Sequence, residues 1–248
     1  FFMGVPVLPY DCGAFVIESL EQRHFYDAVA CVSVVWPTSN LIVKALSISV
    51  EQMRIYSEML VKRAIEEDLS VVCIDKSNNK VIGFCLVEDL NAPPLPENEE
   101  LCEAFDIWKE YTKKVEKPYH SDYKSDGEKT IHVSMTGVMP GYEGFYLARL
   151  GMLLAMRKAS EKGYTKLFSV LTHSGSQGIA SDRKATELYR VKFADFTYNG
   201  RNPLAAIELD SCSVIVIDLS DHTETSRYTK RMETLQKVHS ARHNSSRL

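Results

Sequence analysis

His132, Ser134 and the stretch Val138-Met139-Pro140-Gly141-Tyr142-Glu143-Gly144-Phe145-Tyr146-Leu147-Ala148 carry the residue types and spacing with chemical promise. A β-branched run ends in a turn holding two glycines, and an apolar helical pattern starts at once. The first N–H groups of a helix have no internal partner, and the helix dipole adds positive potential there. Such a corner can hold a pyrophosphate without any lysine. The alternative is a plain strand-to-helix turn whose glycines serve geometry alone. Upstream, His132 is the candidate base, because an imidazole titrates near neutral pH. Strand alternation puts Ile131, Val133 and Met135 on one side and His132, Ser134 and Thr136 on the other, so Ser134 could order a water relay beside His132.

The elements that must position these residues read as follows. Cys12–Leu20 is a first strand, Glu21–Trp36 a helix stopping before Pro37, and Pro37–Asn40 a break. Ser49–Glu67 has Met53, Tyr56, Leu60 and Ala64 on one face, with Ser49 as its N-cap. Ser70–Ile74 and Val81–Val87 are strands joined by the polar loop Asp75–Lys80. Asn91–Glu97 is a Pro-rich break, followed by a helix with Leu101, Ala104, Phe105, Trp108 and Val115 along one face. Lys117–Asp126 reads as a polar loop closed by Gly127. Thr130–Val138 is a strand and Phe145–Lys162 a helix, apolar almost all round at its start and therefore buried. Leu167–Leu171 is a strand, Ser181–Arg190 a short helix, and Lys192–Tyr198 and Ser213–Leu219 the last strands. The sum is a mixed α/β sheet with helices on its faces.

Composition narrows the function. The 248 residues are 45% hydrophobic and 25% charged, with a formal net charge of −4. That suits a globular chain with a sizeable core and gives no basic field for nucleic acid. No apolar run reaches the roughly 20 residues of a membrane span. The apolar opening Phe1–Tyr10 lacks the charged leader and the length of a signal peptide. Six scattered cysteines and seven scattered histidines form no C-x-x-C pair or metal-ligand cluster, so reduced thiols, no metal and a cytoplasmic setting are expected. No G-x-G-x-x-G follows an early strand, which argues against a dinucleotide site.

Val138–Ala148 resembles the "V-x-P-x-Y-R-G-x-G-x-G/A" segment of the GCN5-related N-acetyltransferases, which binds the pyrophosphate of CoA. Ala185-Thr186-Glu187-Leu188-Tyr189-Arg190-Val191-Lys192-Phe193 is similar to the family's "A-x-x-L-Y-x-K-x-G-F" segment. Glu66–Val72 followed by Val81-Ile82-Gly83-Phe84 looks like the second and third strands of its arylalkylamine-acetyltransferase branch. The resemblance implies a mostly antiparallel sheet flanked by helices, with a splayed central strand pair. It implies one domain over residues 1–220, with an insertion at about 91–127 and a polar tail over 221–248. It implies acetyl-CoA as co-substrate and direct acetyl transfer to a small, arylalkyl-type amine by a monomer or homodimer. Val138, Met139, Gly141, Tyr142, Glu143, Gly144, Phe145, Tyr146 and Ala148 would bind the cofactor. Tyr189 would be the general acid, and His132 the base with Ser134. The sequence departs from the pattern at Glu143, Tyr146 and Lys192, where the family has Arg or Gln, Gly and Gly. The alternative is therefore a catalytically degenerate protein of the same fold with a binding role.

Overall fold

The computed structural model describes residues 7–125, 127–173, 176 and 185–219. The expected polar tail and the start of the expected helix at Ser181 lie outside the described residues. The strands are β1 (Tyr10–Asp11), β2 (Phe15–Ser19), β3 (Val71–Asp75), β4 (Lys80–Asp89), β5 (Thr130–Val138), β6 (Lys166–Leu171), β7 (Thr186–Lys192) and β8 (Ser211–Asp218). The helices are α1 (Phe25–Ser39), α2 (Leu41–Ala45), α3 (Val50–Glu67), α4 (Glu103–Pro118) and α5 (Leu147–Glu161). All eight strands form one sheet in the order β1-β2-β3-β4-β5-β6-β8-β7. Every neighbouring pair is antiparallel except β5 and β6. A parallel pair needs a crossover, and α5 supplies it.

Why these segments adopt these forms is mostly visible in their residues. β4 is buried along Val81–Val87, because helices cover the sheet on both sides. α5 covers one face, where Leu150, Leu153, Leu154 and Ala155 meet Val71, Cys73, Cys85 and Val133. Truncating one such buried leucine to alanine costs about 2–5 kcal/mol. α1 and α3 cover the other face, packing Val32, Val35, Leu60 and Val61 on Val72, Phe84, Leu86 and Met135. α1 comes close: a Cβ added at Gly137 of β5 would lie 2.5 Å from Val35 Cγ1. α3 starts at its expected cap, where Ser49 Oγ accepts from Gln52 N at 3.2 Å.

Several expectations are corrected. α1 runs through Pro37 to Ser39. Proline removes one N–H, but the hydroxyls of Thr38 and Ser39 donate to the carbonyl of Val35 at 2.9 and 2.7 Å and help satisfy the final turn. Asn40, no part of a loose break, caps α2 by accepting from Ile42 N and Val43 N. Lys117–Asp126 begins as helix: α4 continues to Pro118 and passes into a π-helical turn, Tyr119–Tyr123, anchored by the buried Tyr119. Thr186–Arg190, expected as helix, is the first part of β7, paired with β8. The strand expected at Lys192–Tyr198 gives way after Lys192 to a 3-10 turn, Phe193–Asp195.

Strand β5 also breaks its expected alternation. Ile131 and Val133 face α5, but Met135 packs on the α1 side. The ladder explains this: Val87 of β4 pairs with Val133 and the preceding Leu86 with Met135, leaving Ser134 as an extra residue. A bulge of this kind bends a strand and re-aims the side chains beyond it.

Candidate active site

The parallel pairing of β5 and β6 covers only Thr130–His132 against Lys166–Phe168. Beyond His132 the two strands share no ladder, although Ser169 Oγ still reaches Val133 O at 3.3 Å. β5 continues to Val138 and β6 to Leu171, so the sheet forks at its centre. This is the expected splayed pair. His132 sits at the base of the fork, and the Gly141–Tyr146 turn leaves from the far end of β5.

The turn is built around left-handed backbone. Gly141 and Gly144 have φ of 90° and 81°, with nothing within 4 Å of an added Cβ; conformation, not crowding, requires glycine there. Tyr146 is also left-handed, at φ 61°, and occupies the N-cap of α5 without a side-chain cap bond. A bulky residue in this region is uncommon and strained, a frequent property of functional turns. The Tyr146 ring is half-buried against the core and carries the Arg149 guanidinium 5.8 Å from its centroid. Tyr142 donates to Asp75 Oδ2 at 2.8 Å, and its ring meets Phe15 edge-on, as does that of Phe145. Glu143 turns back on the loop, its Oε2 accepting from Gly141 N at 2.7 Å. Val138 and Met139 pack on the core edge, and Ala148 lies in the first turn of α5.

The base of the fork is electrostatically richer than the sequence shows. His132 Nδ1 lies 3.1 Å from Glu88 Oε1, directly across the β4–β5 ladder. Arg63 of α3 reaches Glu88 Oε2 at 3.7 Å. All three side chains are 16–18% exposed. Glu116 of α4 joins their field. Burial works to lower the His132 pKa, but the bond and charge of Glu88, with Glu116, outweigh it and raise the imidazole above its ordinary value. Burial works to raise Glu88, but His132 and Arg63 hold it below the usual glutamate value. Glu116 is raised, chiefly by burial. The His132 ring meets Phe168 at 5.4 Å, and no protein group among the described residues hydrogen-bonds its Nε2.

The other candidates are placed differently. Ser134 does not bond His132; its hydroxyl donates to Leu86 O at 3.3 Å, because it is the bulge residue. The Tyr189 hydroxyl donates to Val115 O at 2.9 Å and accepts from Tyr119 N at 3.1 Å, bridging the passage from α4 into the π turn. Burial pushes its pKa up to about 12. The stripe of Phe105 and Trp108 joins Tyr56 in an aromatic cluster with centroids 5.1–5.9 Å apart. Trp36 borders it, and its buried Nε1 has no acceptor among the described residues. A surface depression of about 660 Å³ between α4 and Phe196–Asn199 shares no residue with the fork or the turn. Among the described residues no helix is long and apolar enough to cross a membrane.

Glu88, Arg63 and Glu116 were not sequence candidates. They come from three elements and acquire meaning only when register puts Glu88 opposite His132. The one signal available was a carboxylate at the end of the apolar run Val81–Val87.

No protein-family model matches the sequence, and no curated protein sequence matches it. Solved structures do. The C-terminal condensation domain of Ebony, in complex with beta-alanyl-dopamine, superposes with a TM-score of 0.73 at 18% identity, over 82% of this chain and 98% of that one. Arylalkylamine N-acetyltransferase 2 from Aedes aegypti gives 0.67 at 14% identity, over 84% and 100%. The Drosophila melanogaster polyamine N-acetyltransferase gives 0.67 at 11%, over 82% and 99%. The chain has the fold of the GCN5-related N-acetyltransferases.

Proposed function

We propose that the chain is an N-acetyltransferase that moves an acetyl group from acetyl-CoA to a small amine carrying an aromatic group. The observation that carries this reading is the fork between β5 and β6, with an ionisable His132 at its base and the uncapped start of α5 at its open end. The fit to CoA rests on that helix start, whose N-cap residue supplies no side-chain bond. A pyrophosphate suits such a terminus. It would be held by the amides at the start of α5 and flanked by Gly141, Tyr142, Gly144, Phe145 and Ala148, with Val138 and Met139 leading into the turn. The co-substrate supplies an activated thioester.

The protein's own work is to position the amine and remove its proton. An ammonium group has no free electron pair, so a base must act before attack on the acyl carbon. His132 Nε2 is that base, taking one proton from the ammonium to leave a neutral amine and an imidazolium stabilised by Glu88. Glu116 supplies the negative field that draws a cationic amine in, since Glu88 is already committed to His132 and Arg63, and the half-buried Tyr56 and Trp108 supply ring faces for its aromatic part. The neighbours that act on arylalkylamines support this acceptor class. For Tyr189 to act as the general acid, its hydroxyl must leave the Val115 carbonyl, so we assign it first to holding the end of α4.

One observation favours a second reading, a binding protein without catalysis. The Glu143 carboxylate already satisfies Gly141 N–H and places negative charge where a phosphate would come. A thermal-shift titration with CoA and acetyl-CoA, paired with thiol release in the presence of a panel of aromatic and aliphatic amines, separates the two. Occupancy at 100 times Kd adds about 2.7 kcal/mol of stability. A shift with thiol release supports the transferase; a shift without release for any amine supports the binding protein. No shift with millimolar CoA removes the CoA site.

A further inference from the structure

The proposed base stands in a hydrogen-bonded arrangement that the transferase reading alone does not require. Glu88 and His132 are cross-strand partners on β4 and β5, and Glu88 offers Oε1 to Nδ1 at 3.1 Å. Behind it, Arg63 of α3 approaches Oε2 at 3.7 Å, so both carboxylate oxygens face cationic or donor groups. A carboxylate that accepts from Nδ1–H fixes the neutral ring in the tautomer whose basic nitrogen is Nε2. That nitrogen has no protein partner among the described residues, whereas Nδ1 is committed.

We propose that Glu88 is the positioning residue for His132: it holds the ring by Nδ1, presents Nε2 as the basic nitrogen, and is itself held in place by Arg63. This assignment rests on the transferase reading for its role in turnover, but the hold on the ring stands apart from that reading. The step is a single proton transfer. The substrate ammonium loses one proton, Nε2 gains it, and the imidazolium keeps its Nδ1–H toward the ionised Glu88. No other group changes charge, and Glu88 needs no proton of its own.

The groups facing His132 set the pH dependence. From β4 comes Glu88, from α3 Arg63 through Glu88, from α4 Glu116, and from the π turn His120; β6 contributes only the Phe168 ring. Two carboxylates, one of them bonded directly to the ring, outweigh one guanidinium and one imidazole and favour the protonated ring. His132 must lose that proton to act as a base. Activity therefore rises with pH through an imidazole titration lying above 6.5, the ordinary value.

The test is histidine-ring nitrogen NMR on the full chain between about pH 5 and about pH 9, a range that brackets the imidazole titration. His132 is assigned by the loss of its signals in His132→Gln. In the parent protein the neutral ring should be the Nδ1–H tautomer, with a titration above that of a free imidazole. Glu88→Gln should lower that titration by about one pH unit, a roughly tenfold drop in proton affinity, and mix the tautomers. Glu88→Asp should fall between. In parallel, the ascending limb of kcat/KM should move to lower pH by the same interval while kcat falls and KM changes little. A purely structural Glu88 would lower the melting temperature in both variants and leave the limb and the tautomer where they were, which overturns the proposal. A titration of His132 identical in parent and Glu88→Gln does the same. If no amine is acetylated by any form, the transferase reading falls, and the NMR arm alone still decides whether Glu88 holds the ring.

Discussion

The turn before α5 and the charge cluster at the base of the fork solve opposite problems. The turn works through backbone: Gly141, Gly144 and Tyr146 take positive φ, the ring of Phe145 locks it to the core, and its positive potential comes from peptide dipoles. The cluster works through side chains from separate elements, each charge balanced by another in a half-buried setting. A backbone site tolerates substitution of many side chains but not of its conformation. A side-chain cluster tolerates almost none, because removing one charge leaves its partner buried and unpaired.

The sharpest way to break this contrast is at the imidazole. His132→Gln should lower kcat by at least about a hundredfold, the usual contribution of a general base. It should leave the CoA-induced thermal shift unchanged, because the turn is independent of it. Loss of both together would show that the two regions are one unit. Next in size is Glu143→Gln, which removes a charge and leaves the loop bond to Gly141 possible. CoA affinity should rise about threefold to tenfold by calorimetry, equivalent to roughly 1 kcal/mol. Weaker binding would mean that the carboxylate builds the loop instead of opposing the anion.

Smaller effects sharpen the role of α4. Tyr189→Phe deletes a hydroxyl that both donates and accepts at the end of that helix. It should cost about 1–3 kcal/mol in urea unfolding, because two backbone groups lose a partner. It should reduce turnover less than His132→Gln; an equal loss at full stability would return Tyr189 to the general-acid role. The mildest expectation concerns pH and stability. His132 is raised on folding, so its contribution is complete below 6.5 and fades as pH climbs through its folded value. Glu88 is lowered, so its contribution is complete above its ordinary 4.5 and fades as pH falls through its folded value. The melting temperature of the parent relative to the double variant His132→Gln, Glu88→Gln should therefore peak between those limits. A difference that stays flat as pH is taken below the Glu88 titration and above the His132 titration would mean that the pair adds nothing to folding.

The same contrast explains what could be read in advance. α3 with its Ser49 cap, β5 over Thr130–Val138 and the buried α5 follow from local period and capping, and the turn announces itself through its glycines. β7 did not, because Ala185–Phe193 has helix-forming residues and apolar spacing that suits either form; pairing with β8 decides it. The Ser134 bulge was equally hidden, since it exists only relative to β4. Glu88 and His132 are 44 residues apart and become partners through that ladder alone. Pro37 misled for a physical reason: the missing N–H falls in the last turn of α1, where nearby hydroxyls serve the carbonyls.

Val35 rests on the bare peptide of Gly137, with no room for even a methyl group between them. Helix and strand are thereby seated like a tenon in its mortise, and neither can slide without unseating the other. Trp36, beside Val35, and His132, further back on the same strand, consequently keep a fixed separation. Any side chain larger than hydrogen at position 137 must therefore lift α1 off the sheet before it can fit.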